Sequence, residues 1–131
     1  MTIPVQSELL EATGTPREGS TASKMDIISI LRERFPGRGY CLVSDWTIFR
    51  ADLTPEELKT IEARGHQPLF VYAHNVLEDS HGRFQAGDWV RTSMCVSFDG
   101  EAVFETKNTV YVLVGNGVEK TVSLKAIFSF F

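Results

Sequence analysis

The sequence predicts an α+β fold in which two N-terminal helices pack against an antiparallel β-meander. Apolar residues recur at helical spacing near residue 28, and a capping signal marks the start of a second helix near residue 55. From residue 87 to the end of the chain, turn residues separate alternating or fully apolar segments, which is typical of consecutive strands. The same pattern allows one variant, a strongly bent sheet or partly open barrel.

Length and composition indicate one domain. The chain has 131 residues, of which 43% are hydrophobic, enough for one core and too few for two. Residues 1–22 are rich in Thr, Ser, Gly, Glu and Pro, and such a segment buries too little surface to offset its ordering entropy. We therefore expect a disordered N-terminal arm over 1–22 and a single α+β domain over 23–131. No apolar run is long enough to span a membrane and no signal peptide is evident, so a cytoplasmic location is expected.

Both helices are predicted from their end signals. Ser23 places an N-cap hydroxyl ahead of an apolar stripe that ends at Pro36. Thr54 and Glu57 have the spacing of a capping box, with a proline at the first helical position, and Gly65 marks the end of this second helix.

The strands are predicted from alternation and from continuous apolar runs. Segment 40–43 is a short strand, and segment 69–76 is apolar on both faces, which indicates a strand buried from two sides. In the meander, turns are expected at Asp99-Gly100, at Lys107-Asn108 and at Gly115-Asn116-Gly117. The last strand is expected to alternate strictly as far as Phe130. The more polar face of the first meander strand would carry Trp89, Arg91, Ser93 and Cys95.

Catalytic and metal-binding patterns do not emerge from the sequence. His66, His74 and His81 match no recurrent zinc spacing, and Cys95 has no histidine placed beside it by local sequence. We predict no catalytic residue, no metal and no cofactor, with Cys41 and Cys95 as reduced, buried thiols. The sequence raises three functional hypotheses, and the third of them is a hydrolase with an unrecognised site based on His74 or Cys95.

Four arginines raise a second hypothesis. Arg32, Arg34, Arg38 and Arg50 are concentrated in a short stretch, as in a nucleic-acid-binding module of small-barrel type. The net charge of −4 argues against broad nucleic-acid binding, because such binding depends on Lys and Arg neutralising phosphates. This hypothesis is therefore possible but not favoured.

Aromatic residues and arginines support the first hypothesis, a non-enzymatic domain that binds a protein partner. These residue types are enriched at binding hot spots. The candidate contact residues are Trp46, Phe49, Arg50, Trp89 and Arg91. The competing interpretation is that both tryptophans fill the edges of a small core. No membrane contact is expected, and the chain is predicted to be a monomer or a homodimer, since an unpaired edge strand is a template for pairing.

The segments GDWVRTS, from Gly87, and FETKNTVYVLVG, ending at Gly115, resemble a family of small uncharacterised bacterial proteins found chiefly in pseudomonads. The resemblance covers roughly Asp45 to the C-terminus. That family has no established activity, so the resemblance implies only a source, a bacterial cytoplasm with a mobile-element or prophage setting. The Gly-Asp-x-Val motif is also similar to the turn that leads into small RNA-binding barrels of the PUA and ASCH kind.

The most specific form of the protein-binding hypothesis is a phage- or prophage-derived inhibitor of a host defence complex. A small acidic domain without catalytic groups suits this role by analogy.

Overall fold

In the computed structural model, which describes residues 13–129, eight strands form one mixed sheet that curls strongly into a half-barrel. The strands are β1 (Thr15–Glu18), β2 (Gly39–Ala51), β3 (Leu69–Asp79), β4 (Val90–Arg91), β5 (Ser97–Phe98), β6 (Val103–Glu105), β7 (Thr109–Leu113) and β8 (Asn116–Val122). The helices are α1 (Lys24–Arg34), α2 (Pro55–Ala63) and α3 (Leu124–Ile127). Mixed α/β content is thus confirmed, with strands predominating.

Capping contacts set the starts of α1 and α2 where the sequence predicts them. Ser23 Oγ accepts a hydrogen bond from the Asp26 N–H at 3.2 Å. In α2, Thr54 Oγ1 accepts from the Glu57 N–H at 3.2 Å, and the Glu57 carboxylate accepts from the Thr54 N–H at 3.0 Å. Gly65, with φ of 78°, follows the end of α2.

The strand β2 is the centre of the sheet. Its partner on one edge is β3, which runs antiparallel to it along nearly its whole length. On the other edge, β7 lies parallel to the first half of β2 and β8 lies parallel to the second half. Beyond them, β1 pairs with β8, while β6 pairs with β7 and β5 with β6.

The predicted antiparallel meander is therefore wrong beyond β7. Its predicted first strand is divided into β4, which pairs with β3, and β5. The strands β5, β6 and β7 then pair consecutively, with turns at Asp99-Gly100 and Lys107-Asn108 as predicted. The Gly115-Asn116-Gly117 segment does not reverse the chain. Instead it joins two halves of one kinked strand. One extra residue is inserted there, because four residues lie between Leu113 and Val118 where three lie between their partners Val43 and Thr47.

Trp46 occupies the inner side of this kink. Its side chain is 1% exposed, and its indole N–H donates to the Val114 carbonyl oxygen at 3.1 Å. The ring lies so close to Gly117 that a Cβ atom there would be 2.4 Å from ring carbons. A glycine is therefore required at this position for close approach of the ring, which a local turn motif cannot indicate.

Three buried clusters hold the elements together. One fills the inside of the curled sheet and comprises Cys41, Val43, Trp46, Ile48, Leu69, Val71, Ala73, Val76, Val90, Cys95, Phe104, Tyr111 and Leu113. The second, which includes Phe49 and Phe70, contains residues of α3, and the third, which includes Leu31 and Leu42, contains residues of α1. The predicted packing by two N-terminal helices is corrected accordingly, because α2 contributes no buried residue and α3 takes part in its place.

The C-terminal segment is helical where the sequence suggests a strand. Ser123 Oγ accepts from the Ala126 N–H at 3.1 Å and caps α3, so the apolar residues after Val122 follow a helical and not an alternating path. Phe130, the end of the predicted strand, lies outside the described residues. At the other end, residues 15–18 of the expected arm form β1, and residues 1–12 lie outside the described residues as well.

One short segment pairs with both β3 and β6 and so links two edges of the curled sheet. After β4, the Cys95 N–H donates to the Leu69 carbonyl at 2.9 Å, which continues the pairing along β3. The next residue, Val96, donates to the Glu105 carbonyl at 2.7 Å and begins the pairing with β6. The segment 90–98 therefore connects the edge of β3 to the edge of β6, and the predicted strongly bent variant of the sheet is confirmed.

The two tryptophans provide a matched test of this packing. We expect Trp46→Ala to lower the free energy of unfolding by about 3 to 5 kcal/mol, because it leaves a cavity at the kink and removes the bond to Val114. Trp89→Ala, the same substitution at a side chain that is 54% exposed, should lower it by about 1 kcal/mol or less. Urea unfolding followed by circular dichroism measures both, and equal losses would contradict the assignment of Trp46 to the kink.

Candidate functional site

The strands β3 and β4 and the end of α3 present a row of aromatic side chains on the outside of the sheet. The Tyr72 ring lies 5.7 Å from the Trp89 ring and 4.8 Å from the His74 ring, measured between centroids. Arg91, opposite Tyr72 in the strand pairing, places its guanidinium carbon 5.1 Å from the centroid of Phe128. These five residues are referred to as the aromatic surface.

Two large rings of the aromatic surface are open to solvent. Trp89 is 54% exposed and Phe128 is 45% exposed, and Tyr72 and Arg91 connect them into a continuous patch. Beside Phe128 lies a shallow depression of about 350 Å³, whose lining also includes Arg91 and Phe70. The Phe70 ring supports Phe128 in an edge-to-face contact at 5.3 Å.

Backbone contacts hold the aromatic surface in position. The residue before Trp89, Asp88, exchanges hydrogen bonds with Gln85, and its carbonyl accepts from the Val76 N–H at 2.7 Å. After Arg91, the Thr92 side chain is buried, accepts from the Val71 N–H at 3.0 Å and donates to the Ser93 carbonyl at 2.9 Å. The aromatic side chains are thus presented by backbone that is tied to β3 on both sides of β4.

The structure brings together only part of the predicted contact set. Trp89 and Arg91 both belong to the aromatic surface. Trp46 is buried inside the curled sheet, and Phe49, at 4% exposed, is buried in the cluster that contains α3. Arg50 is exposed near the end of β2, where its Nε donates to Glu119 at 3.4 Å.

Tyr72, His74 and Phe128 are members of the surface that sequence reasoning missed. A weak signal exists for the first two, since Val71 and Ala73 are buried while Tyr72 and His74 alternate with them. The nearly continuous apolar run predicts a strand that is buried on both faces, so the alternation is not evident from the sequence. For Phe128 the local pattern predicts a strand, whereas this residue lies at the end of α3.

The hydrolase hypothesis gains no support from the geometry. Cys95 is completely buried in the interior cluster, whereas His74 is exposed on the outside of the sheet. Burial raises the pKa of the Cys95 thiol to about 12, so it carries almost no thiolate near neutral pH. The predicted polar-face position of Cys95 is wrong, because Thr92 and Cys95 are both buried and regular alternation stops after β4.

A titratable cluster lies at the end of β3. The Asp79 carboxylate is fully buried and accepts hydrogen bonds from the Arg83 N–H at 2.7 Å and from its guanidinium at 2.9 and 3.2 Å. Arg83 also donates to Thr109 Oγ1 at 3.2 Å. Burial by itself raises the pKa of Asp79, but the hydrogen bonds from Arg83 outweigh it, so the pKa lies below its ordinary value.

Cys41 and His81 lie close to this cluster and to the start of β2. Burial, with a smaller effect from the Asp79 charge, raises the pKa of the adjacent Cys41 thiol to about 12. The His81 ring lies against Gly39, where a Cβ atom would be 2.7 Å from it. Within residues 13–129, no group of three or more His, Cys, Asp or Glu side chains is arranged to hold a metal ion.

Two of the four arginines of the nucleic-acid hypothesis, Arg38 and Arg50, lie far apart, whereas Arg32 and Arg34 share the last turn of α1. Arg38, just before β2, donates to the Glu105 carboxylate at 2.7 Å and to the Thr106 carbonyl at 3.0 Å. Arg50 lies at the opposite end of β2 and pairs with Glu119. Two of the four cations are therefore separated by the length of the longest strand and neutralised by carboxylates.

Residues 18–129 match the model of a protein family described as "Domain of unknown function (DUF6957)". The chain belongs to this family. The match confirms the resemblance to a family of uncharacterised proteins, and the DUF6957 region contains the whole aromatic surface. Comparison with curated proteins found no match, and comparison with solved structures found none. Across residues 13–129, no helix combines the length and apolar character needed to cross a bilayer.

The thiols of the DUF6957 domain should resist alkylation in the folded state. Cys41 and Cys95 are both fully buried with pKa values raised to about 12, so iodoacetamide at pH about 8 should label neither until the chain unfolds in urea. Mass spectrometry of the labelled protein measures this. Labelling of folded protein at the rate of unfolded protein would show that a thiol is accessible.

Asp79 should stabilise the domain in a pH-dependent way. Its pKa is lowered on folding, so its contribution is present above the unfolded pKa of about 3.9 and is lost as pH falls through the folded value. At neutral pH we expect Asp79→Asn to lower the free energy of unfolding by about 2 kcal/mol. The difference from wild type should shrink below pH about 4, as urea titrations at several pH values can measure.

The control is Asp52→Asn, at an exposed aspartate just after β2. It should change stability by about 0.5 kcal/mol or less. A pH-independent effect of Asp79→Asn would contradict the ionic role of Asp79.

Proposed function

We propose that this DUF6957 domain is a non-enzymatic interaction domain that binds a protein partner through the aromatic surface. The observation that supports the proposal is that Tyr72 and Arg91 join two exposed rings, Trp89 and Phe128, into one continuous patch. Exposed apolar patches of this kind mark interaction sites in soluble proteins. Trp, Tyr and Arg are also the residue types that dominate binding energy at interfaces.

The outermost strand, β1, is poorly suited to pairing with a strand of another molecule. The geometry therefore favours binding of a partner through side chains. The strand β1 is paired with β8, and all four of its residues are exposed. Pro16 in its middle has no N–H to donate, and charged Arg17 and Glu18 follow it. Proline and charged residues are devices that protect a sheet edge from strand addition. This edge therefore gives little support to a homodimer formed by continuing the sheet, whereas the aromatic surface offers an alternative contact.

A protein partner is supported more strongly than a nucleic acid. Aromatic rings can stack on bases, but binding of single strands also requires a positively charged groove that follows the phosphates. The net charge is −4, and Arg38 and Arg50 are paired with carboxylates at opposite ends of β2. Steep loss of nucleic-acid affinity with added salt would favour the alternative, and absence of binding at low salt would remove it.

The more specific hypothesis remains a prediction. A phage- or prophage-derived inhibitor of a host defence complex, acting in a bacterial cytoplasm, would use such a surface to block a protein partner. Identification of the partner from a bacterial lysate therefore tests both hypotheses, protein binding in general and inhibition of a host defence complex in particular.

Trp89→Ala should abolish recovery of the partner in affinity purification with mass spectrometry. Loss of the exposed ring is expected to weaken binding by about 2 kcal/mol, roughly 30-fold in Kd, because tryptophans are typical hot spots. Titration calorimetry with the purified partner gives the affinity. The fold should persist, since the side chain is half exposed and lies outside the buried clusters.

The matched control is Met25→Ala, which removes another large exposed apolar side chain, 82% exposed, from α1. It should recover the same partner as wild type. If Trp89→Ala recovers that partner with unchanged affinity, the aromatic surface is not the binding site.

A further inference from the structure

A groove of about 510 Å³ lies between α1 and the tip of the β5–β6 hairpin. It shares no lining residue with the aromatic surface. Its apolar lining includes Ile27, Leu31 and Val112, which also belong to the buried cluster that contains α1. These three side chains are buried, so the cluster forms the floor of the groove between two walls.

One wall is a single face of α1. Ile27, Ile30, Leu31 and Arg34 have the spacing i, i+3, i+4 and i+7, so they lie in one row along the helix. The first three residues of the row are apolar, and Arg34 ends it with a cation. Ile30 is 48% exposed. An apolar side chain left open on the rim of a groove is available for contact with another molecule.

The other wall is acidic. The Ser20 N–H donates to the Leu113 carbonyl at 2.8 Å, and the Leu113 N–H donates to the Ala102 carbonyl at 2.9 Å, so the end of β1 and the hairpin meet at Leu113. Glu18 and Glu101, both exposed, stand on these two segments and line the groove. Among the ion pairs of the described residues, neither glutamate takes part.

Backbone groups along this wall are already used. The Gly19 N–H donates to the Gly115 carbonyl at 2.9 Å, and the Gly115 N–H donates to the Ser20 carbonyl at 2.9 Å. An added strand would need such groups, whereas a helix docks through its side chains. The groove therefore suits the apolar face of a helix better than an extended segment.

We propose that this groove docks a basic amphipathic helix of a partner protein. Aliphatic side chains of the helix pack on Ile30 and the apolar floor, and lysine or arginine side chains along its flank pair with Glu18 and Glu101. The two glutamates outnumber Arg34, the one cation of the groove lining, so complementary charge selects basic over acidic helices, and the net charge of −4 adds to this preference. The docking is independent of the aromatic surface.

The test uses the full chain and a phage-displayed library of random peptides of about 16 residues, roughly four helical turns. Enriched sequences should combine aliphatic residues at helical spacing with lysine or arginine. A synthetic peptide of the most enriched sequence is then measured by fluorescence anisotropy. Enrichment of acidic sequences, or of none, would overturn the proposal.

Two pairs of variants separate specific docking from general attraction. Glu18→Gln with Glu101→Gln should weaken peptide binding about fivefold, whereas Glu56→Gln with Glu62→Gln on α2 removes the same charge and should leave it nearly unchanged. Ile30→Ser should weaken binding about tenfold, and Met25→Ser, on the same helix but outside the groove, should not. Equal effects within either pair would contradict docking in this groove.

Trp89→Ala separates this proposal from the proposed function. It should leave peptide binding unchanged, because Trp89 does not line the groove. Loss of peptide binding in Trp89→Ala would place the peptide on the aromatic surface and overturn the groove proposal.

Discussion

The contact between the Trp46 indole and Gly117 is the constraint on which the rest of the fold depends. The ring occupies the space that any side chain at Gly117 would need, and its N–H is satisfied by the Val114 carbonyl. A buried indole N–H without a partner would be costly, so the bond also fixes the orientation of the ring. Together these contacts hold the chain between β7 and β8 in a kink that bends the strand without reversing it.

Because the strand continues, β7 and β8 share one edge of β2 and leave separate outer edges for other elements. The edge of β7 receives β6 and the hairpin, and the edge of β8 receives β1. The outside of the sheet is divided in the same way. One buried cluster joins α1 to Leu42 in the first half of β2, and another joins α3 to Phe49 in the second half. Between them, the Asn75 amide donates to Ser44 Oγ at 3.0 Å, so the intervening strip is polar.

The two surfaces proposed for binding follow from this division. The aromatic surface extends along β3 and β4 beside the short helix α3, which leaves Trp89 and half of Phe128 exposed. The groove lies between α1 and the β5–β6 hairpin, which pack on the same buried cluster and leave a gap between them. In contrast, both thiols are buried with raised pKa values, and the Asp79 carboxylate is committed to Arg83. These three buried groups are therefore not available at the molecular surface, unlike the exposed rings of the aromatic surface.

Short-range interactions made much of the secondary structure predictable. The caps at Ser23 and Thr54 and the turns at Asp99 and Lys107 depend on groups within a few residues, and each is found where the sequence places it. For the candidate site, Trp89 and Arg91 were identified by residue type alone, whereas Tyr72 and Phe128 were not. Their membership depends on which face of a strand they occupy and on whether a helix or a strand follows β8.

The sequence by itself determined the starts of α1 and α2, two of the three expected turns and the presence of a strand-rich core. Only the tertiary structure decided that β8 runs parallel to β2 and that Trp46 is buried while Trp89 is exposed. It also decided that a helix, and not a further strand, follows β8. The physical reason is distance along the chain. The glycine at 117 has the local appearance of a turn residue, and its role is set by a tryptophan whose indole bonds to a carbonyl 68 residues away.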